Sequence, residues 1–264
     1  MTESRRRHRA PTLLLLFALA STAVLVVTLY LRTSSSVAIT TRVTPIYDPP
    51  VLAGQVAWNY CGGGVYARHD DTIVLTSSGH CAPEGETAYD PDGQGGVAGV
   101  WGPIAESATC PYAGHTCAAS DMNYLIVAAD RIPWGHLNEI DMGAGGYRVV
   151  APGERPLGCD EVKVDDRVEI AARGVYREGR VLQKGEYLKP AEQDSVYFAC
   201  IVATSVEAST GDSGGAVLVR GVPAGVVARG FGGLAGFTPL GTGLEELGVT
   251  MCDTPNCGLT PPQG

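Results

Sequence analysis

From Val51 onward, apolar residues come in short runs of four to seven, broken by clusters of Gly, Pro, Asp and Asn. Runs of that length, rich in Val, Ile and Thr, read as β-strands. The pattern predicts strands over 64–67, 72–76, 124–128, 167–171, 179–183, 196–202, 216–219 and 225–228. Turn chemistry falls at PDGQGG (91–96), GAGG (143–146) and GFGG (230–233). Helical periodicity is nearly absent, and one short helix is expected around 243–247. Many short strands at this spacing imply an all-β sandwich or barrel. Two all-β halves are expected to meet near 143–158, a first barrel over about 51–143 and a second over about 159–250.

The first 50 residues have a different pattern. Positions 12–31 (TLLLLFALASTAVLVVTLYL) run for 20 residues without a charge, behind Arg5, Arg6, Arg7 and Arg9. That length spans a bilayer as a helix, and the basic flank, 1–11, is expected to stay in the cytoplasm. The remainder would then lie on the extracytoplasmic face of the cell membrane. A cleaved signal peptide, giving a secreted protein, is the alternative, because Ala18-Leu19-Ala20 and Ser36-Val37-Ala38 offer small-residue cleavage sites. Residues 32–50 are rich in Ser, Thr and Pro and read as a stalk, roughly 60 Å long if extended.

Charge sharpens this division. Residues 1–42 carry six Arg and one Glu, net +5; residues 43–264 carry 13 Lys and Arg against 27 Asp and Glu, net −14. An acidic globular part argues against nucleic acid as a partner. All eight cysteines lie on the exported side, where disulfides are the expected state. Cys110–Cys117 and Cys252–Cys257 are close enough in sequence to pair locally. A metal site at CPYAGHTC, with His115 as a further ligand, lacks a second histidine or a CxxC, and no metal or other cofactor is expected.

The chemistry concentrates around GDSGGAV (211–217). A serine hydroxyl is a weak nucleophile and needs a base and oxyanion donors. The amides of Gly211 and Ser213 could converge on one oxyanion, and Gly214 and Gly215 would let the backbone pack closely behind the serine. GDSGG also fits the G-x-S-x-G elbow of α/β-hydrolases, but that fold places its histidine after the serine. The five histidines are at 8, 69, 80, 115 and 136, all before Ser213. His80, at the end of an apolar strand and beside Cys81, is the candidate base. Asp121, at the mouth of the strand-like run MNYLIV, is the candidate orienting carboxylate.

SGHC (78–81), SDMNYLIV (120–127) and GDSGGAV, in the order His80, Asp121, Ser213, resemble the three catalytic signatures of the chymotrypsin-like serine proteases. Among these, the chain is most similar to the bacterial streptogrisin and α-lytic branch, over about residues 52–250. The resemblance implies two antiparallel β-barrels with the site in the cleft between them, a short C-terminal helix, and peptide-bond hydrolysis by a His80–Asp121–Ser213 triad. It also implies a Cys61–Cys81 disulfide, leaving Cys159 and Cys200 to pair. Ala228, Arg229 and Gly230 would bind the substrate backbone.

The match departs from the family in three places. Ser77-Ser78 precede GHC where Thr-Ala or Ala-Ala is usual, and a shift of two residues would put Asn123 where the acid belongs. No IVGG start is present to supply an ammonium for Asp212. In bacterial relatives an internal arginine does so, and Arg173, in EIAARGVYREGRV (169–181), is expected to pair with Asp212. Glu207 either borders the specificity pocket or is a solvated loop charge. The expected protein is a monomeric, membrane-anchored serine endopeptidase acting on protein or peptide substrates, more active as His80 loses its proton. An inactive protease fold that binds peptides or partners at the membrane surface is the alternative.

Overall fold

The computed structural model describes residues 53–54, 61–89, 96–105, 116–118, 120–189 and 196–262, and contacts group Ile39–Gly264 into one compact unit. The apolar run 12–31, the stalk, Cys110 and His115 lie outside the described residues. No helix among the described residues is long and apolar enough to cross a membrane.

In chain order the strands are β1 (Tyr66–His69), β2 (Thr72–Ser78), β3 (Thr87–Tyr89), β4 (Val97–Trp101), β5 (Thr116–Ala118), β6 (Met122–Val127), β7 (Glu139–Asp141) and β8 (Tyr147–Val149). They continue with β9 (Arg167–Ala172), β10 (Val175–Lys189), β11 (Val196–Glu207), β12 (Ala216–Val219), β13 (Val222–Phe231), β14 (Leu234–Pro239) and β15 (Thr250–Met251). Between β14 and β15 lies the single α-helix among the described residues, α1 (Leu240–Leu247).

Six strands form one sheet in the order β15-β1-β2-β6-β4-β3. Seven form a second, β10-β9-β12-β13-β14-β11-β5, in which β10 also pairs with β11. That extra pairing closes six strands into a barrel. The first sheet stays open among the described residues, with β15 and β3 at its ends. The expected all-β architecture is therefore found, with one closed six-stranded barrel among the described residues. Two short strands cross the expected division into halves: β5 pairs in parallel with β11, and β15 returns to β1.

The strands follow from side-chain alternation. In β12, AVLV, Ala216 and Leu218 join the core of the first sheet, while Val217 and Val219 join the core of the second. Successive side chains point to opposite faces. A strand buried on both faces therefore reads as a continuous apolar run. β9 and β13 divide in the same way, through Ala171 and Val226 on one side and Ile170 and Val227 on the other. The shared wall places the loop before β12 directly against the first sheet.

α1 buries Leu240, Gly243, Leu244 and Leu247, a 3.6-residue stripe, and ends at Gly248 with φ 64°. Eight residues would not hold a helix alone. Packing of these leucines, each contributing roughly 1.5–3 kcal/mol, fixes it. A Cβ on Gly243 would lie 2.1 Å from Met122 Sδ, so the helix rests on the residue that follows Asp121.

Candidate active site

Three separate segments supply the site. His80 sits in a 3-10 turn, Gly79–Cys81, at the end of β2. The Cys61–Cys81 disulfide holds that turn, with Cα atoms 6.1 Å apart. Ser77 Oγ donates to the Gly62 carbonyl at 2.8 Å, and Ser78 Oγ donates to the Val227 carbonyl at 2.5 Å. The two serines that depart from the family pattern thus fasten the histidine strand to the chain before β1 and to β13.

Asp121 precedes β6 and is almost fully buried. Its Oδ2 accepts from His80 Nδ1 at 2.8 Å and its Oδ1 from the His80 amide at 3.2 Å. The Asp121 amide donates to Thr238 Oγ1 at 3.1 Å. Glu246 of α1 accepts from both the amide and the hydroxyl of Ser120. Asn123 takes no part: it faces Ser77 across the β2–β6 ladder and donates to the Ala82 carbonyl at 3.3 Å. The geometry therefore brings Asp121, not Asn123, to the imidazole.

Ser213 Oγ lies 3.0 Å from His80 Nε2. Its loop is shaped by glycines at positive φ, Gly211 at 93° and Gly214 at 86°. Gly62 N–H donates to the Ser213 carbonyl, and a Cβ on Gly214 would fall 2.1 Å from the Gly62 carbonyl oxygen and 2.2 Å from Ser77 Oγ. Only glycine satisfies both the dihedral and the space. Gly215 is pressed by Ala172 in the same way. The loop amides divide into two sets. Those of Asp212, Gly214 and Gly215 donate to Ser209, Val227 and Asp212 carbonyls, whereas those of Gly211 and Ser213 donate to no backbone carbonyl among the described residues. Two unclaimed amides beside a hydroxyl are what an oxyanion site requires.

His80 and Ser213 open on a cleft of about 450 Å³, lined also by the Cys61–Cys81 disulfide, the segment 208–211, Gly230 and Gly233. Its walls are small and uncharged. They meet where Ala208 N–H donates to the Gly233 carbonyl at 2.8 Å. Glu207 is exposed and does not line the cleft.

No protein-family model and no curated protein matches the chain. Solved structures do. A Cellulomonas bogoriensis chymotrypsin superposes with TM-score 0.56 at 20% identity, covering 77% of this chain and 99% of that one. Thermobifida fusca protease A gives 0.56 at 19%, covering 76% and 97%. A Nocardiopsis protease gives 0.55 at 17%, covering 76% and 98%. The fold is that of the bacterial chymotrypsin-like serine proteases.

Within that fold one expected pair is replaced. Arg173 does not reach Asp212. With Gly174 it forms the two-residue turn of the β9–β10 hairpin, both residues at positive φ, and its guanidinium donates to the Thr210 carbonyl at 2.7 Å. Arg177, inside β10, meets Asp212 Oδ1 at 2.7 Å and donates to the Glu207 carbonyl at 3.0 Å. Asp212 Oδ2 accepts from the Ser209 amide at 2.6 Å. The hairpin signal Arg-Gly would have found this, because it confines Arg173 to the tip and leaves Arg177 on the strand.

The expected substrate strand is also only partly as read. Gly230 lines the cleft. Ala228 is fully buried with Ala118, Phe198 and Ile201. Arg229 turns toward Asp121. A register slip between Val227 and Arg229 in the β13–β14 ladder marks a bulge at Ala228, and bulges re-aim side chains. Sequence reasoning also missed Ser77, Ser78 and Thr238, whose hydroxyls are buried and hydrogen-bonded. The disulfides Cys61–Cys81, Cys159–Cys200 and Cys252–Cys257 are formed. Cys110 lies outside the described residues. Among those residues, no group of three or more His, Cys, Asp or Glu could hold a metal.

Proposed function

We propose that this protein is a serine endopeptidase. The carrying observation is the continuous line from Asp121 Oδ2 to His80 Nδ1 (2.8 Å) and from His80 Nε2 to Ser213 Oγ (3.0 Å), opening on a peptide-sized cleft. Ser213 attacks the scissile carbonyl. His80 takes the hydroxyl proton and later returns it to the leaving amine. Asp121 holds the imidazole with Nδ1 protonated and stabilises the imidazolium. The amides of Gly211 and Ser213 receive the oxyanion. Nothing in this sequence of steps calls for a cofactor.

The apolar run 12–31 would anchor the protease in the cell membrane with the cleft outside. Protein or peptide chains, rather than nucleic acids, are its substrates, and the active unit is a monomer.

A fluorophosphonate probe tests the chemistry. The oxidised full-length chain, purified in detergent, should be labelled at Ser213 and the Ser213→Ala variant should not, as read by peptide mass spectrometry. A folded protein that takes no label at Ser213 overturns the reading and leaves the peptide-binding alternative.

The small, uncharged walls favour a small, uncharged side chain on the acyl side of the scissile bond. In a peptide library, Ala or Gly there should be cleaved at least tenfold faster than Arg or Phe. Preference for a large or charged residue would show that the Ala208–Gly233 contact opens on binding.

A further inference from the structure

Arg229 is an unusual neighbour for a catalytic carboxylate. The bulge at Ala228 turns it inward, and only 17% of its side chain is exposed. Its guanidinium carbon lies 5.4 Å from the centre of the Phe198 ring. One terminal nitrogen lies 3.6 Å from Asp121 Oδ2. That is the same oxygen that accepts from His80 Nδ1. The contact is longer than a hydrogen bond but close enough for Coulombic coupling, and burial weakens solvent screening. The aromatic face holds the cation in place.

We infer that Arg229 is a positioning residue that tunes the Asp121–His80 pair. This rests on the protease reading above. Asp121 assists the reaction by favouring the imidazolium. A permanent cation on the same carboxylate oxygen offsets part of that negative potential. The imidazole is then held less tightly to its proton, and the base stays competent at lower pH. Among the described residues, two carboxylates near the pair are engaged elsewhere. Glu246 of α1 accepts from Ser120, and Asp212, behind the nucleophile loop, meets Arg177. From β14, Thr238 offers only its hydroxyl, which accepts from the Asp121 amide. The sign follows directly. With Arg229 removed, the carboxylate favours the imidazolium more strongly, and a higher pH is needed to free the base.

The test uses the full-length chain and two substitutions. Arg229→Met keeps the length and the contact with Phe198 but removes the charge. Arg229→Lys restores it. The acid limb of kcat/KM against pH should lie roughly half to one pH unit higher in Arg229→Met than in wild type, and Arg229→Lys should recover at least half of that displacement. A second readout needs no turnover. The His80 ring resonances, followed by NMR against pH in a Ser213→Ala background, should be displaced in the same direction by Arg229→Met. An unchanged acid limb and an unchanged His80 titration in a folded variant overturn the inference. If Arg229→Met does not fold, Arg229→Gln is measured in its place with the same two outcomes. If the wild-type chain cleaves nothing, the protease reading fails, and the NMR titration alone decides the role of Arg229.

Discussion

Asp121→Asn should lower kcat by about four orders of magnitude while leaving the protein folded. The reason is the identity of the proton on His80 rather than the loss of a contact. A carboxylate can only accept, so Nδ1 carries the hydrogen and Nε2 is left to take one from Ser213 Oγ. An amide can donate to Nδ1, which leaves the proton on Nε2 and the base facing the wrong way. It also removes the negative charge that stabilises the imidazolium, beside the Arg229 cation. Asn123→Ala is the matched control. It loses the bond to the Ala82 carbonyl, which is worth roughly 1 kcal/mol of stability, but should keep activity per folded molecule near wild type. Steady-state kinetics with active-site titration decides the matter. A dead Asn123→Ala beside an active Asp121→Asn would place the acid in the other register.

Arg177→Met should destabilise the fold by roughly 3–5 kcal/mol, because it leaves Asp212 charged, buried and unpaired. For a domain of this size that corresponds to a fall in Tm of about 6–20 °C. The nucleophile loop should loosen as well. Asp212 receives the Ser209 amide and lies between Gly211 and Ser213, the two residues proposed to supply the oxyanion donors, so fluorophosphonate labelling should drop along with stability. Arg173→Ala loses one exposed bond to a loop carbonyl and should change stability by about 1 kcal/mol or less. Thermal melts of the two variants separate them. A collapse in Arg173→Ala with a stable Arg177→Met would return the pair to the hairpin tip.

The parts of this site that the sequence makes legible are those written in consecutive residues. GDSGG and SGHC are local because backbone packing around Ser213 and His80 leaves few alternatives to glycine and to the cysteine staple. The acid is harder to read. Asp121 and Asn123 are two residues apart on one strand, and the pattern of apolar neighbours fits either. Only the cross-strand partner, Ser77 for Asn123, separates them. Arg173 and Arg177 differ by whether a turn falls at Arg173-Gly174, which is a matter of hairpin register. Arg229 escapes sequence reading because a bulge, not alternation, sets its direction.

The long apolar strands are visible for the same reason that β12 is, burial on both faces. Three-residue strands such as β3 and β5 carry too little pattern to register. The helix is visible at 243–247 but starts earlier, at Leu240, because Pro239 can precede a helix and Gly241 does not prevent one held by packing.

The carbonyl oxygen of Val227 accepts from Ser78 Oγ, on the histidine strand, and from the amide of Gly214, in the serine loop. Both reacting groups are therefore surveyed from one benchmark. A displacement of β13 carries base and nucleophile along together, and their separation is preserved to first order. Precision at the Nε2–Oγ gap then does not require a rigid molecule. It requires only that two short tethers, one two residues before His80 and one next to Ser213, share an origin.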